Sequence, residues 1–327
     1  MHRDHSFNMF ERRLLQGSSV NSAELETMQN WYPISIRTNP SRVSWRDMGS
    51  TRFTESFFQD TLSNQERDLR RVTETDLARL SHISNFLQPS LFVFHISRCG
   101  STLMTQMLSR LETCIVLSEP PVIDAFFRHF SEPTEKNLQI FRDLIAALGQ
   151  RRFASERHLV IKLDSWHLPY LAFVQNAFPK VPCIFLYREP QAVLASHQRS
   201  RGPQMVPGLI DLTDLLIDET DLEAHDLDGY CLTVLSALYQ NAIQLHEKFA
   251  LQLIHYRQLP GIIWDNLLEQ IGIDISEDDL IEMKQRSQFH SKHGHQIFAE
   301  EVINRVEHPR LYKAKSLYQC LDQYNSA

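Results

Sequence analysis

Residues 91–108 read LFVFHISRCGSTLMTQML, and no other stretch constrains the fold as much. LFVFHI is rich in β-branched and aromatic residues, which suits a strand. The small residues of SRCGS then allow a tight turn, and the apolar spacing of TLMTQML predicts a helix starting at once. A strand, tight loop and helix in succession point several backbone N–H groups and the positive end of a helix dipole at one spot. Proteins hold phosphate-like anions in this way.

The same alternation continues downstream. Apolar strand candidates lie at 91–96, 114–117, 158–163, 182–187 and 251–256, with helical patterns between them. Short apolar strands separated by helices predict a mainly parallel β-sheet flanked by helices, an α/β fold of P-loop type. Ligands of such sheets sit at the carboxyl ends of the strands. Residues 1–88 are more polar and are expected to form a mainly helical N-terminal extension packed on the domain 89–327. In that extension Leu69, Val72, Leu80 and Ile83 line one side of a predicted helix, and Trp31, Trp45, Phe53, Phe57 and Phe58 are its aromatic anchors. A strongly acidic insert at about 200–229 is expected to be a solvated surface segment, or else a cover over an acceptor site that favours a cationic or neutral acceptor.

Charge and cysteine usage exclude several function classes. Lys and Arg number 33 against 40 Asp and Glu, so no global basic field draws nucleic acid or an anionic membrane, and any anion site is local. No apolar run approaches the roughly 20 residues that span a bilayer. The charged opening MHRDHSFNMFERR lacks the apolar core of a secretory signal, and a cytoplasmic location is expected. Cys114, Cys183, Cys231 and Cys320 are expected to be buried thiols rather than disulfides or zinc ligands. Cys99, in the loop, is expected to feel the helix N-terminus and ionise more readily.

The loop departs from familiar phosphate motifs. A Walker A loop aligned on Gly100 would place its first glycine at His95 and its lysine at Ser101, so an ordinary ATPase or kinase is disfavoured. A cysteine phosphatase would need an arginine where Thr105 stands. What remains is an anion cradle whose cation, Arg98, precedes the glycine.

SRCGSTLMTQML resembles the 5′-phosphosulfate loop of the sulfotransferases that use 3′-phosphoadenosine 5′-phosphosulfate (PAPS). Three further stretches resemble that family in its order. LSEPP places Glu119 where tyrosylprotein and some carbohydrate sulfotransferases carry a catalytic glutamate, at a spacing from Arg98 like that of the tyrosylprotein branch. FPKVPCIFLYREPQAVLASHQR is similar to the 3′-phosphate element, with Arg188 and Ser196 in the ligand positions. IHYRQLPGIIWDNLLEQIGI is similar to the strand and helix near the adenine, with Tyr256 fitting and Arg257 standing in for a commonly acidic residue.

The resemblance, covering about residues 91–295, implies a P-loop sulfotransferase fold with PAPS as co-substrate and no metal requirement. The backbone N–H groups of Cys99, Gly100, Ser101, Thr102 and Leu103, with the Ser101 and Thr102 hydroxyls, are expected to hold the 5′-phosphate. Arg98 and Lys162 are expected to offset charge on the leaving phosphate. Glu119 is the first choice for the base that deprotonates the acceptor. His167 is the second, because IKLDSWHLP resembles the lysine and histidine-leucine-proline segment of cytosolic sulfotransferases, and Asp164 is the third. Lys292 is a candidate further phosphate contact, and His290, His293 and His295 beside it offer weak metal-ligand spacing. The acceptor remains open among a small molecule, a glycan and a peptide, with neither nucleic acid nor membrane as partner. An atypical kinase using ATP and Mg²⁺, or a non-catalytic nucleotide-binding protein, are the competing readings.

Overall fold

The computed structural model describes residues 13–217, 225–249, 251–289 and 307–326. The chain ahead of Pro89 forms a four-stranded sheet: β1 (Ser18–Ser19), β2 (Trp31–Thr38), β3 (Ser41–Asp47) and β4 (Arg71–Asp76). The order is β1-β4-β3-β2, and β2, β3 and β4 pair antiparallel. The expectation of a mainly helical extension is therefore corrected. Apart from the helical residues Arg13 and Leu14, its α-helix among the described residues is α1 (Phe58–Asn64). The apolar spacing around Leu69 and Val72 matched a helix by coincidence, since Leu69 is 57% exposed. The pattern that decides is the period-2 alternation of RVTETD, which buries Thr73 and Thr75 and exposes Glu74 and Asp76.

Trp31, Trp45, Phe53 and Phe58 are buried anchors. Trp45 donates its indole N–H to Thr75 Oγ1 at 2.9 Å across the β3–β4 pair. The buried strand β2 packs on α3 (Pro121–Phe130) and α4 (Glu135–Leu148), which seats the small sheet against the main one. Helix α2 (Ser101–Leu108) follows the loop singled out above.

The main sheet comprises β5 (Pro89–His95), β6 (Cys114–Ser118), β7 (His158–Lys162), β8 (Cys183–Tyr187) and β9 (Leu251–His255), all parallel, in the order β6-β7-β5-β8-β9. Leu91 to Phe94 and Ile184 to Tyr187 are wholly buried, as strands covered on both faces must be. The flanking helices are α2 to α4, α5 (Leu171–Ala177), α6 (Pro190–Arg199), α7 (Leu227–Lys248), α8 (Glu277–Ser287) and α9 (Leu311–Ser326). Helix α9 packs on α7 and β9. Among the described residues, no helix is long and apolar enough to cross a membrane.

Candidate active site

Strands β6 to β9 each end at a residue singled out above, or one residue before it, β5 ends three residues before Arg98, and all five ends face one edge. The β5 end runs into a loop in which Ser97 and Arg98 hold left-handed backbone at φ 75° and 52°. Such conformations cost ordinary residues about 1–3 kcal/mol each, so the surrounding fold enforces them. Gly100 follows at φ 83°. A side chain there would also place its Cβ 2.5 Å from Leu259 Cδ1, a flexible side-chain end, and 3.1 Å from the Tyr256 ring, so the backbone demands glycine and the packing is tight around it. Helix α2 starts at the next residue, and its N-terminal N–H groups border the loop.

The strand order places the ends of β6, β7 and β5 side by side, bringing Glu119, Lys162 and His95 together. Lys162 is completely buried, with Nζ 2.9 Å from Glu119 Oε1 and donating to Thr102 Oγ1 at 3.2 Å. His95 Nδ1 accepts from the Ser97 N–H at 3.0 Å, so Nε2 carries the proton. That N–H faces Leu163 O at 3.1 Å and Glu119 Oε1 at 3.3 Å. Burial pulls the His95 imidazole below its ordinary value, against the raising influence of Glu119, and Lys162 pulls it lower still. For Glu119 burial pushes the carboxyl up, but the Lys162 charge and the His95 hydrogen bond together outweigh it, lowering it to about 2. Glu119 itself sits at φ 55°, a further left-handed residue at the same edge. His95 escaped the motif reading. Its only sequence signal was a histidine ending an apolar strand directly before the loop.

Two cations close the other side. The Arg188 guanidinium lies 3.9 Å over the Tyr256 ring and donates to Arg98 O at 3.4 Å. Arg98 donates to Ser200 O, which ties the loop to the segment after α6. Burial first, and then the charge of Arg199, pull the Arg98 guanidinium below its ordinary value, against the raising influence of Glu119.

Arg98 to Leu103, Glu119, Arg188, Ser196 and Tyr256 line one cavity of about 260 Å³, together with Phe57, His95, Asp164, Ser165 and Trp166. Lys162 reaches it through Glu119 and Thr102. Ser165, 2% exposed on the same wall, has a hydroxyl with no hydrogen-bond partner among the described residues. Buried hydroxyls are seldom left unpaired, so this one suits a ligand oxygen. The loop closed at Gly100, with Arg98 and Arg188 on the cavity wall and Lys162 behind Glu119, suits an anion.

His167 is not on that wall. It is 1% exposed, its Nε2 lies 3.2 Å from Asp124 Oδ1, and it borders a neighbouring cavity. Asp164 lies at the edge of the anion cavity, and burial first, then the charges of Glu119 and Asp124, push its carboxyl well above the usual range. Arg257 is engaged elsewhere, donating to both carboxylate oxygens of Asp322 at 2.9 Å. Lys292, His290, His293 and His295 lie outside the described residues. Among the described residues, no group of three or more His, Cys, Asp or Glu side chains is placed to hold a metal ion.

The cysteines require two corrections. Cys99 is wholly buried, and burial pushes its thiol up despite hydrogen bonds at the helix start, so it is not the activated thiol expected from the loop position. Cys320 is half-buried rather than buried.

No family model matches the chain, and no curated protein matches it by sequence. Solved structures do. The sulfotransferase domain of the Synechococcus olefin synthase is 13% identical, with 73% of this chain and 96% of that one covered, at a TM-score of 0.43. A sulfotransferase from Mycobacterium avium is 13% identical over 74% and 77% of the two chains, at a TM-score of 0.45. A mouse sulfotransferase complexed with PAP is 13% identical over 77% and 93%, at a TM-score of 0.41.

Proposed function

We propose that the protein transfers a sulfuryl group from PAPS to a hydroxyl or amine acceptor, releasing adenosine 3′,5′-bisphosphate. The observation that carries this reading is the meeting, in one cavity, of a glycine-closed anion loop, Arg98 and Arg188, and the Glu119–Lys162 pair. The loop N–H groups from Cys99 to Leu103, the hydroxyls of Ser101 and Thr102, and Arg98 hold the 5′-phosphate. Arg188 and Ser196 hold the 3′-phosphate, with Tyr256 toward the adenine. When bound, the donor supplies the sulfuryl group.

Glu119 takes the acceptor's proton. Paired with Lys162 it is ionised but weakly basic. An anion in the cavity competes for Lys162, and the carboxylate gains basicity as that cation turns away. The likeness to the tyrosylprotein branch supports the same choice of base. His167 positions Asp124 and does not meet the reacting atoms.

Transfer of radiolabelled sulfate from PAPS should proceed in EDTA, because Lys162 and Arg98 supply the charge that Mg²⁺ supplies to kinases. A strict Mg²⁺ requirement overturns the reading. Adenosine 3′,5′-bisphosphate should raise the melting temperature well beyond AMP, and Arg188→Ala should erase most of the difference. Glu119→Gln should lower turnover by about 10²–10⁴ while bisphosphate affinity holds, and His167→Asn should cost little. Near-normal turnover of Glu119→Gln, measured where chemistry limits the rate, removes Glu119 as the base.

A further inference from the structure

A second cavity of about 350 Å³ shares Phe57, Glu119, Asp164, Trp166 and Pro203 with the anion cavity. Glu119 therefore opens on both, with the phosphate loop on one side and this second space on the other. From this geometry we infer that the second cavity takes the acceptor, and that the acceptor is a small, uncharged alcohol or phenol with an apolar body. The inference rests on the sulfuryl-transfer reading for the word acceptor. The ligand class rests on the cavity alone.

Three properties of the walls lead to that class. Their size is near the lower end of small-molecule sites, which run from about 300 to 1,000 Å³, and this suits a body of a few rings rather than a polymer chain. Their chemistry is mainly apolar. Leu14 and Ile34 come from the N-terminal region, Ala125 from α3, and Leu209 and Ile210 from the segment after α6, with Phe57 and Trp166 at the lip. Polyhydroxylated rings would leave most of their hydroxyls unpaired against such walls.

Charge excludes the ionic alternatives. An anionic acceptor would meet the Glu119 and Asp124 carboxylates. The nearest cation on these walls, Arg128, is already engaged, its Nη2 2.5 Å from Asp124 Oδ2. Asp124 also receives the Trp166 indole N–H at 2.7 Å and faces His167 Nε2 at 3.2 Å, so it is held in place rather than free to pair with a cationic acceptor. Asp164 stands at the shared lip as a buried carboxyl whose proton affinity is raised by burial first and then by the charges of Glu119 and Asp124, which disfavours a full negative charge there.

The test uses the full-length protein saturated with adenosine 3′,5′-bisphosphate, and binding read by calorimetry and saturation-transfer NMR. The probes are 2-naphthol, borneol, N-acetylglucosamine and 4-hydroxyphenylacetate. The two apolar alcohols should bind about tenfold or more tightly than the sugar and the carboxylate. Ala125→Phe, which fills the cavity from α3, should weaken their binding by about the same factor without changing bisphosphate affinity. Leu209→Trp fills it from the 53%-exposed side and serves should the first variant fail to fold. Tighter binding of the sugar or the carboxylate overturns the inference, as does unaltered alcohol binding in a folded cavity-filling variant. Alcohol binding that responds to these variants, without sulfate transfer from PAPS, overturns the proposed reaction and leaves the ligand class standing. Sulfate transfer to the sugar but not to the alcohols does the reverse.

Discussion

At Gly100 a positive φ demands glycine, and the Leu259 side-chain end and the Tyr256 ring crowd the site a Cβ would take. Gly100→Ala should therefore cost at least the roughly 1–3 kcal/mol of a strained backbone, read by urea denaturation, and should weaken bisphosphate binding because the loop must shift. The residues around it also set an acid limit. His95 and Glu119 both have folded pKa values depressed below their ordinary 6.5 and 4.5. Each binds fewer protons folded than unfolded, so its contribution is present above the ordinary value and is lost as pH falls through the folded one. Stability should start to fall as pH drops below about 6.5 through His95, then fall further between 4.5 and about 2 through Glu119. Asp164 acts with the opposite sign. Its raised carboxyl favours the folded state at low pH and loses that contribution as pH rises, so Asp164→Asn should not destabilise the protein at pH 8. Melting temperatures across pH 2 to 8, for wild type, His95→Gln, Glu119→Gln and Asp164→Asn, check all three statements.

Among the elements, the two sheets differ in how openly the sequence announces them. Strands β5 to β9 are covered on both faces and appear as apolar blocks, so their positions were legible to within one or two residues. Strands β3 and β4 carry Arg, Ser, Thr and Glu, and such polar text suits a surface helix until the period-2 alternation is counted. The same contrast holds in the site. Arg98, Gly100, Arg188 and Tyr256 were legible because loops and strand ends carry motifs. The grouping of Glu119, Lys162 and His95 depends on β7 lying between β6 and β5, a non-sequential order that no local pattern states. Ser165 was missed because a lone hydroxyl after a strand has no signature until its partners can be counted. Within the small sheet, Trp45 is wholly buried and hydrogen-bonded to Thr75, so Trp45→Ala should cost about 3–5 kcal/mol in urea denaturation.

Taken whole, the molecule does not divide cleanly at Pro89. The small sheet lays β2 on α3 and α4, and the chain ahead of Pro89 supplies Phe57 to the anion cavity and Leu14 and Ile34 to the second one. Tyr32 reaches across the boundary to Gln150 O at 3.1 Å, and Gln150 Nε2 returns a hydrogen bond to Trp31 O at 2.6 Å. A chain beginning at Pro89 should therefore be recovered aggregated, or as a species without bisphosphate-induced stabilisation, as gel filtration and thermal denaturation will show. The hydrogen bond from Arg98 to Ser200 O has a consequence of a different kind. It joins the anion loop to the segment that continues through Pro203 to Leu209 and Ile210, the outer wall of the second cavity. Two ligands that act on the two ends of one strap are thermodynamically linked. Whatever factor the first contributes to the affinity of the second, the second returns unchanged to the first, whichever arrives earlier.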